Sequence, residues 1–340
     1  MSGDEARDED GGGPRRLTLA VTGGTGLVGR ALLAAAGGAR DVCAVRALCR
    51  TAQAPSRGTA PLRGIEWVRG DLGDRAALGR LCAGADVLIH VAGATAATGD
   101  RGFHAVNVAG TARAVAAARD AGCARVVVVS SQAAGAPGLS RYAASKAMGE
   151  AAARRAAKGA AGDAMTVRIV RPPAVFGPGD EATKPILDAL SRGVLPVPGG
   201  RGWRERRFAL ITADDLAQAL LRAAREGDAG VSVPASWPAL SWSDLAGAAG
   251  RPVRLVPVPL SVLGAAGRCA DAWSRVTGKP LVFGRGKARE MARDWRASGS
   301  GLANLSLSEA LTPLLSPRPA SPSPQGKSAS IAAPVTEGSP

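Results

Sequence analysis

Short apolar runs alternate with longer alanine-rich stretches through the first half of the chain. The runs at residues 17–22, 43–49, 65–69, 87–91, 125–130 and 166–170 have strand length and strand composition. Between most of them lie segments of helical composition, at 29–36, 75–82, 107–121 and 142–157. Such alternation predicts an α/β fold with a doubly wound parallel sheet and helices on both faces, spanning 16–178. From about Gly179 the alternation breaks. PILDALSRG, ADDLAQALLRAARE, SWSDLAGAAG and VLGAAGRCADAW read as short helices joined by apolar pieces such as VRLVPVPL. Residues 179–315 are therefore expected to form a smaller, mostly helical lobe. The acidic, glycine-rich segment 1–15 and the Pro/Ser-rich segment 316–340 offer nothing apolar to bury and read as disordered tails.

Composition narrows the classes of function. With 46% hydrophobic residues in 340, the middle of the chain can bury a large core. No stretch approaches the roughly 18 to 20 uninterrupted apolar residues of a membrane span, and the acidic start MSGDEARDED has no apolar run of a secretory signal. Five cysteines without a CxxC fit free thiols in a reducing cytoplasm, and two histidines leave little for an imidazole metal site. The net charge of +15 invites a nucleic-acid partner, but only 3% of residues are aromatic, so base-stacking platforms are scarce and no nucleic acid is expected.

The first run ends in TGGTGLVG, with Gly23, Gly26 and Gly29 in the spacing GxxGxxG. A tight turn after a strand, a backbone close to a pyrophosphate and a helix N-terminus aimed at that anion all need residues without side chains. In this strand-to-helix context the loop Gly23, Thr25, Gly26, Leu27, Val28, Gly29 is a candidate dinucleotide site. About 20 residues further on, a carboxylate would bind a ribose 2′-hydroxyl. Here the second strand ends in VRALCR, at Arg50, with no Asp or Glu. A guanidinium suits a 2′-phosphate, so NADP is expected, with NAD open; the alternative is one more surface arginine.

Tyr142 is the sole tyrosine, and it sits in YAASK with Lys146 four residues later, on one face of a helix. A nearby ammonium favours the phenolate and lowers a pKa that starts near 10, which makes the phenol a usable acid or base. The alternative is an ordinary helix with a packed tyrosine and a solvated lysine. Ser130 and Ser131 lie just past the carboxyl end of an apolar strand, where open α/β sheets bind ligands; capping that strand is the other reading.

Together with GDL at Gly70–Leu72, HVAG at His90–Gly93, VNVAGT at Val106–Thr111, SSQAA at Ser130–Ala134, RPPAVFGPGD at Arg171–Asp180 and FALITADDLA at Phe208–Ala217, these motifs resemble an extended short-chain dehydrogenase/reductase. The likeness, from about Leu17 to about Leu315, is to the NAD-dependent epimerase/dehydratase family, on its 3β-hydroxysteroid dehydrogenase-like and dihydroflavonol reductase-like side. It implies a Rossmann-type sheet domain. It also implies that Asp71 holds the adenine with Leu72 beside it, that Ala92 and Gly93 flank the cofactor, and that Pro173 sits near the nicotinamide. Ser131 would bind the reacting oxygen, Tyr142 would move the proton, and Lys146 would hold the nicotinamide ribose. Asn107 falls on the family's asparagine, with packing an equal reading. A homodimer through a four-helix interface is implied by the same likeness.

The expected chemistry is hydride transfer between nicotinamide and a hydroxyl or carbonyl carbon of a small molecule. Sugar-nucleotide epimerases commonly carry an asparagine where this chain has Ala174 and an arginine where it has Phe208. Two apolar replacements at donor positions favour a non-nucleotide substrate over a nucleotide sugar. Arg201, Arg204, Arg206 and Arg207 either supply a shifted anion site or form a solvated loop. A non-catalytic NADP-binding or accessory protein is a further alternative. In it the segment 255–273 would offer an apolar helix to a partner or membrane surface; packing in the core of the lobe is the favoured role.

Overall fold

The computed structural model describes residues 16–51, 64–159, 165–180, 182–298 and 301–315; both expected tails lie outside the described residues. Six strands of the first half, β1 (Leu17–Thr22), β2 (Val42–Cys49), β3 (Ile65–Arg69), β4 (Val87–His90), β5 (Arg125–Val129) and β6 (Thr166–Val170), form one parallel sheet in the order β3-β2-β1-β4-β5-β6. All four residues of β4 are buried, as expected for a central parallel strand covered on both faces. Alternate side chains serve opposite cores. Leu19 and Val21 face α1 (Leu27–Gly37) and α7 (Ala213–Arg225), whereas Ala20 faces α2 (Arg75–Cys82), α4 (Thr111–Asp120) and α5 (Arg141–Ala156), the short α3 (Gly99–Phe103) lying between α2 and α4 in the chain. The strand order reverses at β1 and β4, and the crevice outside their carboxyl ends is where such sheets bind ligands. This is the Rossmann architecture.

The expected boundary at 178 and 179 does not separate the layers. After a first excursion into the lobe the chain returns: α7 packs on α1, and β10 (Gly230–Ser232) pairs with β6 as a seventh parallel strand. Its three residues carry little strand signal and are recruited by the free edge of β6. The lobe itself holds a three-stranded sheet of β7 (Ala174–Phe176), β9 (Phe208–Thr212) and β11 (Trp237–Leu240). A parallel ribbon pairs β8 (Val194–Pro198) with β12 (Arg254–Val258). Its helices are α6 (Lys184–Ser191), α8 (Trp242–Gly247), α9 (Leu260–Thr277), α10 (Arg285–Met291) and α11 (Leu307–Leu315), around a core of Phe176, Leu190, Leu195, Leu245 and Leu311. Contrary to the favoured expectation for 255–273, α9 contributes only Gly267 to the buried interior.

Candidate active site

Gly23 ends β1 in the left-handed region, at φ 77°, and a Cβ there would meet the Ala92 nitrogen at 2.6 Å. At Gly29 a Cβ would lie 2.1 Å from the Gly23 oxygen. Gly26 donates its N–H to the Gly23 oxygen at 3.1 Å, and as N-cap of α1 it brings no side chain to the first turn, which holds no acidic residue. Backbone can thus come close to an anion at the positive end of α1, the cradle a pyrophosphate requires. The residues fit a dinucleotide.

Arg50 is exposed at the end of β2, and around the same shallow recess stand Arg69, Arg80, Asp71 and Asp74. Asp71 Oδ1 accepts from the Gly73 and Asp74 nitrogens, at 2.6 and 3.2 Å, which fixes the loop carrying Leu72. Sequence reasoning missed Arg69 and Arg80; the arginine closing the third strand was the available signal. Past β4, Ala92 donates to Thr22 Oγ1 at 3.3 Å, and a Cβ on Gly93 would crowd Asn107 Oδ1 at 3.3 Å and Lys146 Nζ at 3.4 Å.

Ser131, Tyr142, Lys146 and Pro173 all line the cleft that continues from this cradle. Ser131 Oγ accepts from the Ala133 nitrogen at 3.2 Å, capping a short turn after β5, and lies near enough to the Tyr142 phenol to favour its ionised form. Capping and proximity to Tyr142 coexist. Burial pushes the Tyr142 pKa above its usual value; the Ser131 hydroxyl opposes this and the Glu290 carboxylate adds to it. Lys146 is buried, donates to the Val129 oxygen at 2.7 Å, and has its pKa lowered to about 8 by burial, with Glu150 opposing. Desolvation, rather than the neighbouring ammonium, dominates the phenol here.

Behind these residues lie further supports, of which Glu150 and Glu290 belong to no quoted motif. Glu150, one turn beyond Lys146, accepts from Ser130 Oγ at 2.5 Å and from Arg171 Nε and Nη2 at 2.8 and 2.7 Å. Asn107, in a π-helical turn at His104–Gly110, donates to the Ala94 oxygen and to Ser145 Oγ while accepting from the Ala94 nitrogen. His90 is enclosed between Thr22 Oγ1 at 2.7 Å and Thr111 Oγ1 at 3.0 Å. Because Thr111 donates its own proton to the Asn107 oxygen, it accepts from Nε2–H, which leaves Nδ1 to accept from Thr22. Burial, with Lys146 nearby, lowers the His90 pKa to about 3 and keeps the ring neutral. From the lobe, Glu290 of α10 accepts from Ser140 Oγ at 2.5 Å, and Ser140 caps α5 by accepting from the Ala143 nitrogen. The sequence separation of 150 residues hides that contact.

The cleft has a volume of about 1710 Å³; on its lobe side an apolar patch of Leu187, Phe208, Leu210, Trp242 and Phe283, with Ala174 beside Pro173, adjoins charged side chains of α9, α10 and their flanks, among them Arg268, Arg285, Arg289 and Glu290. The Phe208 and Trp242 rings meet with centroids 4.6 Å apart, tilted by 44°. Arg206 donates to the Pro198 oxygen, and Arg207 to the Arg204 and Arg206 oxygens, so both guanidiniums are engaged by backbone.

Comparison with known proteins agrees with this construction. Residues 19–234 match the model of the NAD dependent epimerase/dehydratase family, and the chain belongs to that family. It is accordingly an enzyme of the NAD-dependent oxidoreductase/epimerase type, with relatives named as reductases. A ceramide reductase of Caulobacter vibrioides is 40% identical over 296 residues, covering 85% of this chain and 88% of the relative. A 4-hydroxy-2-methyl-3-oxo-4-farnesyl-3,4-dihydroquinoline-1-oxide ketoreductase of Stigmatella aurantiaca is 37% identical over 200 residues, covering 53% of this chain and 58% of the relative. Among solved structures, gox2253 superposes with a TM-score of 0.64 at 22% identity, over 88% of this chain and 97% of its own. MoeE5 in complex with UDP-glucuronic acid and NAD gives 0.58 at 21%, over 87% and 96%. The two structures share the fold.

Proposed function

We propose that this protein is an NADP-dependent ketoreductase acting on a lipid-like carbonyl compound of the ceramide class, with Tyr142 as proton donor. The observation that carries the reading is the apolar patch of the lobe that lines the same cleft as Ser131 and Tyr142, in a chain 40% identical to a ceramide reductase. Gly23, Thr25, Gly26, Leu27, Val28 and Gly29 would hold the dinucleotide phosphates, Asp71 and Leu72 the adenine, and Ala92, Gly93 and Pro173 the nicotinamide half. Arg50, with Arg69 and Arg80, supports a 2′-phosphate and hence NADP over NAD. The bound nicotinamide supplies the hydride. Ser131 Oγ–H orients the carbonyl oxygen, and Tyr142 gives its proton to that oxygen as negative charge develops there. A raised phenol pKa keeps that proton in place until it is needed. Lys146, close to Gly93, would hold the ribose and present its charge to the phenol. A homodimer through the outer face of α5, where Met148 is 48% exposed, and a cytoplasmic location belong to the same reading.

Nucleotide sugars fit less well, since Ala174 and Phe208 offer no donors and Arg206 and Arg207 are turned to carbonyls. The test is NADPH oxidation across ketones running from short soluble ones to N-acyl sphingoid ketones, beside UDP-, GDP- and dTDP-sugars. The long-chain ketones should turn over best, and Tyr142→Phe should lower turnover by on the order of 10² or more with NADPH affinity nearly intact. Turnover confined to nucleotide sugars, or undiminished in Tyr142→Phe, refutes the assignment.

A further inference from the structure

Helix α9 turns an apolar stripe to solvent. Val262, Ala266, Cys269, Trp273 and Val276 follow one another at intervals of four and three residues, so they share one face, and all five are exposed. Val262 is 53% exposed, Trp273 63% and Val276 85%. Its inner face is fixed elsewhere: Gly267 packs where a Cβ would meet Arg285 backbone at 2.7 Å, and Asp271 Oδ2 accepts from the Arg285 nitrogen at 3.2 Å. At 1.5 Å per residue the stripe runs about 21 Å along the surface. Beyond the helix, Leu281 and Val282 are also exposed, at 42% and 45%.

We infer that this face docks the enzyme on an anionic lipid bilayer, with the helix lying along the interface. Arg268 and Arg275, two turns apart and both exposed, stand on one side of the helix between the stripe and the inward face, and Lys279 follows the helix; its single carboxylate, Asp271, faces inward. Apolar residues that include a tryptophan, with cations to one side of them, match a bilayer surface, where tails and headgroups lie in layers. Two copies meeting on this face would instead bring arginine edges together with no outward carboxylate to receive them. The surface is continuous with the substrate cleft, because Arg268, Arg275, Leu281 and Val282 also line its rim. A substrate held in a membrane would pass from the bilayer to the apolar patch of the cleft without crossing water. That last step rests on the lipid reading of the cleft; the docking surface stands on the stripe and its charge.

The full chain should be sedimented with vesicles of phosphatidylcholine alone and of phosphatidylcholine mixed equally with phosphatidylglycerol. Binding should be strong only to the anionic vesicles and should weaken with salt. The triple variant Val262→Ser, Trp273→Ser, Val276→Ser, none of which lines the cleft, should lose at least about tenfold in vesicle affinity. It should keep wild-type NADPH binding and, on a short soluble ketone, wild-type turnover. A doubly substituted Arg268→Gln, Arg275→Gln protein should lose the preference for anionic vesicles. Stripe-dependent vesicle binding by a wild-type protein that reduces no ketone upholds the docking surface and removes the substrate reading. No vesicle binding by the wild type, equal binding by the triple variant, or a dimer that the triple variant splits, each overturns the inference.

Discussion

Replacing Glu150 by Gln tests the scaffold under the site. The carboxylate is 3% exposed and takes three short hydrogen bonds, from Ser130 and from both arms of the Arg171 fork. Removing one partner of a buried ion pair costs about 3–5 kcal/mol, because the other charge is left uncompensated. Arg171 is 26% exposed and keeps some water, which places this pair at the low end, about 3 kcal/mol. At roughly 2–4 °C per kcal/mol for a large domain, the melting temperature falls by about 6–12 °C. Calorimetry or circular dichroism reads this directly. A second readout separates charge from packing. Glu150 opposes the burial that lowers the Lys146 pKa to about 8, so without it the ammonium loses its proton at still lower pH. The alkaline limb of kcat/KM should then move toward neutrality. Removing both charges, with Glu150→Met and Arg171→Met, should recover at least half of the lost stability. A Glu150→Gln protein melting within about 1 °C of wild type, or a double variant less stable than the single one, would falsify the argument.

His90 makes acid stability predictable. Its pKa is about 3 folded against 6.5 unfolded, so between those values the unfolded chain binds the extra proton and stability falls as pH drops. From pH 6.5 to 5 the loss is about 1.6 kcal/mol, read as a shift in urea midpoint that His90→Gln abolishes; equal shifts in both proteins contradict the buried neutral ring. At Gly29, Ala places its Cβ 2.1 Å from the Gly23 oxygen, so Gly29→Ala should weaken NADPH binding by tenfold or more, on the order of 1.4 kcal/mol, in calorimetric titration. Arg50→Ala with Arg69→Ala should weaken NADPH by tenfold or more and leave NADH little changed. Equal losses for the two cofactors would remove the arginines from the 2′-phosphate.

The sheet domain was legible because its strands are short apolar runs with local signals at each end; all six expected strands fall within a residue or two of the observed ones. The lobe was less so. Prolines at 196, 198 and 257 argue against strands, yet β8 and β12 pair as an isolated ribbon in which a missing N–H is tolerated. At the candidate site, Gly23, Ser131, Tyr142 and Lys146 stand out in the sequence because the chemistry proposed for them needs fixed local spacing. Glu150 with Arg171, and Glu290 with Ser140, are contacts made by folding, and each residue alone resembles any other surface charge or hydroxyl. The phenol shows the limit of reading a pair in isolation: Lys146 at i+4 suggests a lowered pKa, but burial reverses the direction for Tyr142.

The bond from Ser140 to Glu290 also governs how this protein can be recombined. Gly286 packs so tightly on Ser140 that a Cβ would lie 2.5 Å from the serine Cβ, and the next residue but one along α5 is Tyr142. A chimaera that exchanged the lobe to alter substrate range would therefore also replace the acceptor that anchors the start of the helix carrying Tyr142. Ser140, Gly286 and Glu290 must travel as a set, and a library that shuffles lobes at the sheet boundary without them would score misaligned tyrosines as failed substrates.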